Sequence, residues 1–199
     1  MADDFRDLFK NWQPGDDLRR SSGGEDREPG EPERSWDPNA NPYETSAETE
    51  NRSRRSLNEK EVKVMGIWGT QNPDDPNGPP KETFVLLRDN RGRKAPIFIG
   101  PFETLAIQSS IEGMTSMRPS THDLLKIAIE RMGGSVERIT IDDLWDRTFY
   151  ARITIATKDG HTEDLDCRPS DAIALALRTK SPIYMAEDVI VSAGHEDDE

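Results

Sequence analysis

Two short segments, Arg118-Pro119-Ser120 and Arg168-Pro169-Ser170, each lead into a helix start that carries groups capable of chemistry. His122 and Asp123 follow the first, and Asp171 follows the second. A histidine beside a carboxylate can act as a base or as a metal ligand. A helix N-terminus presents free N–H groups that attract anions, and a preceding arginine adds to that pull. The plainer alternative is that these residues only cap their helices, which suits Asp123 best, three residues after Ser120 in a capping-box pattern. A further carboxylate, Glu103, follows Pro101 by two residues, as Asp171 follows Pro169. Arg91, Arg93 and Lys94, with Arg88, form a dense basic cluster in an expected hairpin turn. It reads either as a solvated turn or as a phosphate-contacting loop.

The elements that must position these groups are legible around residues 168–178, RPSDAIALALR. Proline suits the first turn of a helix, and Ser170 and Asp171 offer oxygens to the unpaired N–H groups there. From Ala172 to Leu177 every residue is apolar, so this helix must be covered on all sides. The same pattern occurs 68 residues earlier in IFIGPFETLAIQSSIEG, and the match carries Gly92 onto Gly160, each in a hairpin turn that runs into its helix. Each helix is followed by a proline and a second helix start, STHDLL after Pro119 and AEDVI after Pro182. The second helix of the first copy carries an apolar stripe of Leu124, Leu125, Ala128 and Met132 and ends at Gly133 and Gly134. The expectation is an α+β fold, a compact mixed domain built from two β-β-β-α-α-like repeats.

Composition sets the boundaries. Of the first 60 residues only 12 are hydrophobic, against 33% for the whole chain, so residues 1–60 are expected to be a disordered acidic tail. Within it, Phe5, Leu8, Phe9 and Trp12 put one apolar stripe on residues 5–12, which could dock into a protein partner or fold back on its own domain. The folded domain is expected over 61–194, with an acidic end at 195–199. The loop QNPDDPNGPPK reads as a proline-rich turn, lacking the oxygen spacing of a calcium loop. A net charge of −13 excludes polyanion binding by bulk charge, so any nucleic-acid contact must come from a local patch. One cysteine excludes an intrachain disulfide framework and a cysteine zinc site, which fits a cytoplasmic location. No membrane span or export signal is expected.

The pairing of RPSTHDLL with RPSDAIALALR, with IFIGPFETLAI between two hairpins, resembles the bifunctional nuclease domain family of bacteria and plants. The resemblance covers roughly residues 61 to 194. It implies a mixed α+β domain with a repeated strand and helix unit, commonly assembled as homo-oligomers, that hydrolyses DNA and RNA. Positions matching its motifs are Arg118, Pro119, His122, Asp123, Arg168, Pro169, Ser170 and Asp171.

Joined to the residue chemistry, this gives metal-assisted phosphodiester hydrolysis as the first expectation. Glu103, Asp123 and Asp171 would hold Mg²⁺ or Mn²⁺ and His122 would activate or orient water, with His122, Asp123 and Asp171 as the catalytic set. Arg118 and Arg168, with Arg91, Arg93 and Lys94, would bind the nucleic acid. The alternative is a non-catalytic oligomeric or regulatory module in which arginine and carboxylate are structural pairs. Convergence in one cleft favours the first, and scatter or burial as pairs the second.

Overall fold

A computed structural model describes residues 58–70, 75 and 78–193. The tail with its stripe at 5–12, most of the proline-rich loop and the acidic end at 195–199 lie outside these residues. The chain divides into two units, 45–70 with 81–199 and 1–44 with 71–80. In the smaller one, the described residues form a turn closed by Gly78 N–H to Asp75 O at 3.1 Å.

The larger unit starts with three antiparallel strands, β1 (Glu59–Thr70), β2 (Glu82–Asp89) and β3 (Lys94–Ile99). Helices α1 (Pro101–Ile111) and α2 (Thr121–Arg131) follow. A second antiparallel set comprises β4 (Ser135–Trp145), β5 (Thr148–Ala156) and β6 (Thr162–Cys167) and leads into α3 (Pro169–Thr179). Strand β7 (Ile183–Ala186) and helix α4 (Glu187–Ala193) close the unit. All strands lie in one sheet of order β3-β2-β1-β7-β4-β5-β6.

The duplication is physical. Adding 68 to each residue number carries β3 onto β6 and α1 onto α3, end to end. Thr83 faces Ile99 across the first hairpin, and the shifted pair Ala151 and Cys167 face each other across the second. Both turns are closed by the same bonds, Asp89 N–H to Arg93 O and Thr157 N–H to His161 O. Gly92 and Gly160 supply the left-handed residue, with φ of 90° and 81°. The copies then diverge. Lys180 ends α3 in the left-handed conformation, Pro182 blocks its renewal, and Ile183–Ala186 pair as β7 between β1 and β4. That four-residue strand joins the two halves into one sheet, a feature the expected repeat did not contain.

Helix α3 is the centre. Ala172 to Ala176 are all buried, and the helix packs against α1, α2, β4 and β5. Ile173 and Leu175 are fully enclosed, each contributing about 1.5–3 kcal/mol by burial, and the intervening alanines let neighbouring backbones close in. Ile139, Ile141, Val85, Leu87 and Met185 supply the sheet's side of the core.

Candidate functional site

Three helix starts meet through one chain of hydrogen bonds. Arg168, at the N-cap of α3, donates from Nη1 to Glu103 Oε1 at 2.7 Å, in the first turn of α1. It donates from Nε to Asp171 Oδ2 at 2.8 Å and from Nη2 to Asp171 Oδ1 at 3.2 Å. Asp171 Oδ1 in turn lies 3.1 Å from His122 Nε2, in the first turn of α2. The duplication explains the arrangement: Glu103 and Asp171 occupy the same place in the two copies, and a single guanidinium lies between them.

The charges are set by these contacts. Burial works to raise the pKa of Asp171, but hydrogen bonds from Arg168 and His122 outweigh it and hold the carboxyl below its ordinary value. Arg168 is raised, first by its bond to Asp171. The Arg168 side chain is nonetheless 66% exposed, so one side of the guanidinium faces solvent and can meet an anion. The Asp171 contact orients the His122 imidazole, whose side chain is 14% exposed.

Asp123 does something different. Its Oδ2 accepts from Ser120 N at 2.9 Å and from Ser120 Oγ at 2.7 Å, the capping box expected from the sequence. Its Oδ1 accepts from Arg178 Nε at 2.7 Å. The Ser120 hydroxyl first, and then the Ser120 N–H and Arg178, hold its carboxyl down to about 2. Arg178 also donates from Nη1 to Ala106 O and Ala174 O and from Nη2 to Ser109 Oγ, so one nearly buried guanidinium ties α1, α2 and α3 together. Sequence reasoning passed over Arg178. The available signal was a cation closing an otherwise apolar helix.

Several expected placements differ. Ser170 and Asp171 were expected to cap α3, yet the N-cap carries no side-chain hydrogen bond and the Asp171 carboxylate turns to Arg168 and His122, which offer it full charge and a ring nitrogen. Arg93 donates to Asp89 Oδ2 at 2.8 Å and to both oxygens of Glu187 at 2.8 and 3.0 Å, fastening the first hairpin turn to α4. Arg91 is exposed in that turn and Lys94 half-buried beside it; none of the three joins the His122 group through a described hydrogen bond. Arg118 is exposed in the loop before α2. The apolar stripe of α2 faces out: Leu124, Leu125, Ala128 and Met132 are exposed, and no residue of the helix is fully buried, because His122, Asp123 and Lys126 occupy its inner side. Among the described residues, no three His, Cys, Asp or Glu side chains close around a single metal position, and no helix is long and apolar enough to cross a membrane.

An uncharacterised protein of Mycobacterium tuberculosis is 38% identical over 135 residues, 67% of this chain and 76% of its own length. Bifunctional nuclease 2 of Oryza sativa subsp. japonica is 27% identical over 128 residues, 63% of this chain and 39% of the rice protein. Bifunctional nuclease 2 of Arabidopsis thaliana is 27% identical over 123 residues, 60% of this chain and 37% of its own. The match thus spans less than half of each plant protein. A model of the bifunctional nuclease domain matches residues 85–198, from inside β2 through the whole of the His122 group, and the chain belongs to that family.

Proposed function

We propose that this domain hydrolyses phosphodiester bonds of DNA or RNA at the meeting point of α1, α2 and α3. The supporting observation is the chain Glu103, Arg168, Asp171 and His122, which gathers a proton acceptor, an orienting carboxylate and a solvent-facing cation from three helix starts. Arg168 binds the phosphate, joined by Arg118. His122 takes a proton from the attacking water as the new P–O bond forms, and the departing oxygen takes a proton from solvent. Asp171 orients the imidazole. Asp123, engaged by Ser120 and Arg178, seats α2 rather than touching substrate.

A Mg²⁺ or Mn²⁺ ion would be held by Glu103 and Asp171 in place of the guanidinium now between them. Two carboxylates suffice for an ion that takes its remaining ligands from water and substrate phosphate, and such an ion would polarise a phosphoryl oxygen. The single Cys167 suits action in a reducing cytoplasm. The test is cleavage of end-labelled single-stranded DNA and RNA with either metal or chelator. His122→Ala and Asp171→Asn should each lower the rate at least tenfold, about 1.4 kcal/mol in the barrier, with the melt nearly intact. Cleavage indifferent to both substitutions and to chelator would refute the assignment.

The outward stripe of α2 supports a second reading, an assembly module. Leu124 is 60% exposed, Met132 78% and, in the preceding loop, Met117 101%, an apolar patch that a second copy of the chain would cover. Sedimentation should then show an oligomer that Leu124→Lys dissociates.

A further inference from the structure

We infer that the outward face of β1, β2 and β3 is a platform for single-stranded nucleic acid, with Trp68, Phe84 and Phe98 stacking bases and Lys63, Arg88 and Lys94 holding phosphates. This names the substrate-binding surface of the proposed nuclease and rests on that reading only for the cleavage that comes after binding.

Strand alternation fixes the face. Val85, Leu87, Ala95 and Ile97 point into the core, so Phe84, Leu86, Arg88, Lys94, Pro96 and Phe98 point away from it. Cross-strand register sorts them into rows. Trp68 faces Phe84, which faces Phe98; Gly66 faces Leu86, which faces Pro96; Lys63 faces Arg88, which faces Lys94. A row of three aromatics thus lies parallel to a row of three cations. Four residues separate the rows along β2, roughly 13 Å, a gap that a short strand of nucleotides bridges.

The aromatics are presented outward. Trp68 is 43% exposed and Phe98 56%, and the rings of Phe84 and Phe98 lie 5.6 Å apart at 57°. A Cβ added at Gly66 would stand 3.1 Å from two carbons of the Trp68 indole, so the ring lies over the glycine and against the sheet. One ring face is left for a base. Phe98 stands two residues before Gly100, the N-cap of α1, whose first turn carries Glu103. The aromatic row therefore lies close along the chain to the helix start where the reaction is proposed.

The second copy shows that these residues are not required by the fold. At the equivalent places it has Arg152 for Phe84, Asp166 for Phe98, Thr154 for Leu86 and Asp164 for Pro96, in the same register. There the face is filled by ion pairs, Arg152 lying 3.6 Å from Asp142 and 3.5 Å from Asp164. The inward residues of β2 stay apolar in the second copy, Ile153 and Ile155 standing for Val85 and Leu87, whereas the outward face is aromatic and cationic in one copy alone. Stacking platforms beside cationic tracks bind single strands with little sequence preference, and they need unpaired bases.

The test uses the full chain, chelator to stop cleavage, and fluorescein-labelled oligo-dT and oligo-U of about 16 nucleotides, with binding read by anisotropy. Wild type should bind both at least tenfold more tightly than a duplex of equal length. Trp68→Ala and Phe98→Ala should each weaken binding at least fivefold. Arg88→Gln should reduce the slope of log affinity against log salt by about 0.7, one phosphate contact on a single strand. Leu165→Ala, exposed on the other half of the sheet, should leave binding unchanged. Unaltered affinity in the Trp68, Phe98 and Arg88 variants, with cooperative melts preserved, would overturn the platform, as would equal affinity for duplex. Platform-dependent binding without cleavage would instead remove the nuclease assignment and leave the platform standing.

Discussion

Arg178 and Asp123 meet at 2.7 Å, so the last turn of α3 holds the first turn of α2. Lys126 Nζ adds a bond to the carbonyl of Arg178 at 3.2 Å. A helix with no fully buried residue, whose Ile129 packs only partly against the core, is thereby held also by polar contacts to one residue of its neighbour, and His122 lies against Asp171 beside them.

Replacing Arg178 by Met should cost about 2–3 kcal/mol in denaturant unfolding, the loss of hydrogen bonds to a charged group. Arg178→Lys should recover less than half of it, since one ammonium cannot serve acceptors on three helices at once. Amide exchange is the sharper measurement. Residues 121–131 should exchange faster while β4 and β5 keep their protection. Equal acceleration everywhere would mean that Arg178 supports the whole core and not α2 in particular.

The packing of α3 gives a second expectation. Ala174 is fully buried and its carbonyl shares Arg178 with that of Ala106, so the two duplicated helices touch at matching alanines. Ala174→Leu should overpack this contact and cost about 1–3 kcal/mol. A neutral result in thermal or denaturant melts would show that α1 can shift to accommodate the larger side chain.

These contacts show what the sequence could and could not reveal. Proline starts, a glycine in each hairpin turn and an apolar run are local signals, and they located α1, α3, the hairpins and the repeat. The stripe of α2 was equally visible, but periodicity says only that a helix has an apolar side, not which side faces the domain. The inner side was decided by Asp123 and Lys126 finding Arg178, which is a contact distant in sequence. Strand β7 is too short for a period of two to register. Asp171 was legible as a candidate, whereas its contact with His122 and the bond from Arg168 to Glu103 required the fold to bring three helix starts together.

The pH dependence of stability is set in part by Asp123, whose carboxyl is held down from 3.8 to about 2. A depressed carboxylate contributes stability that is complete above its unfolded value and disappears as pH falls through its folded value. The contribution should therefore be constant above about pH 5 and decline between roughly pH 4 and pH 2. Melting temperatures of wild type and Asp123→Asn, measured in parallel, should differ by a constant amount at neutral pH and converge across that window. A gap unchanged at pH 2 would indicate that the lost contact was steric and not electrostatic.

The last expectation concerns the cation between Glu103 and Asp171. Arg168 neutralises both carboxylates, so a divalent ion must compete with it for the same oxygens. Arg168→Gln removes the competitor and leaves two carboxylates facing one another, which should lower the melting temperature in chelator. Adding Mn²⁺ to the variant should restore it. At a hundred times the dissociation constant a bound ion stabilises by about 2.7 kcal/mol, and at about 2–4 °C per kcal/mol that is a rise of roughly 5–10 °C for a chain of this size. Wild type should respond less, because Arg168 must first be displaced. Adding Asp171→Asn to Arg168→Gln should abolish the response, which separates this pair of carboxylates from the acidic residues elsewhere on the chain. If all three proteins shift equally, Glu103 and Asp171 do not hold a divalent ion, and Arg168 serves them as a structural partner alone.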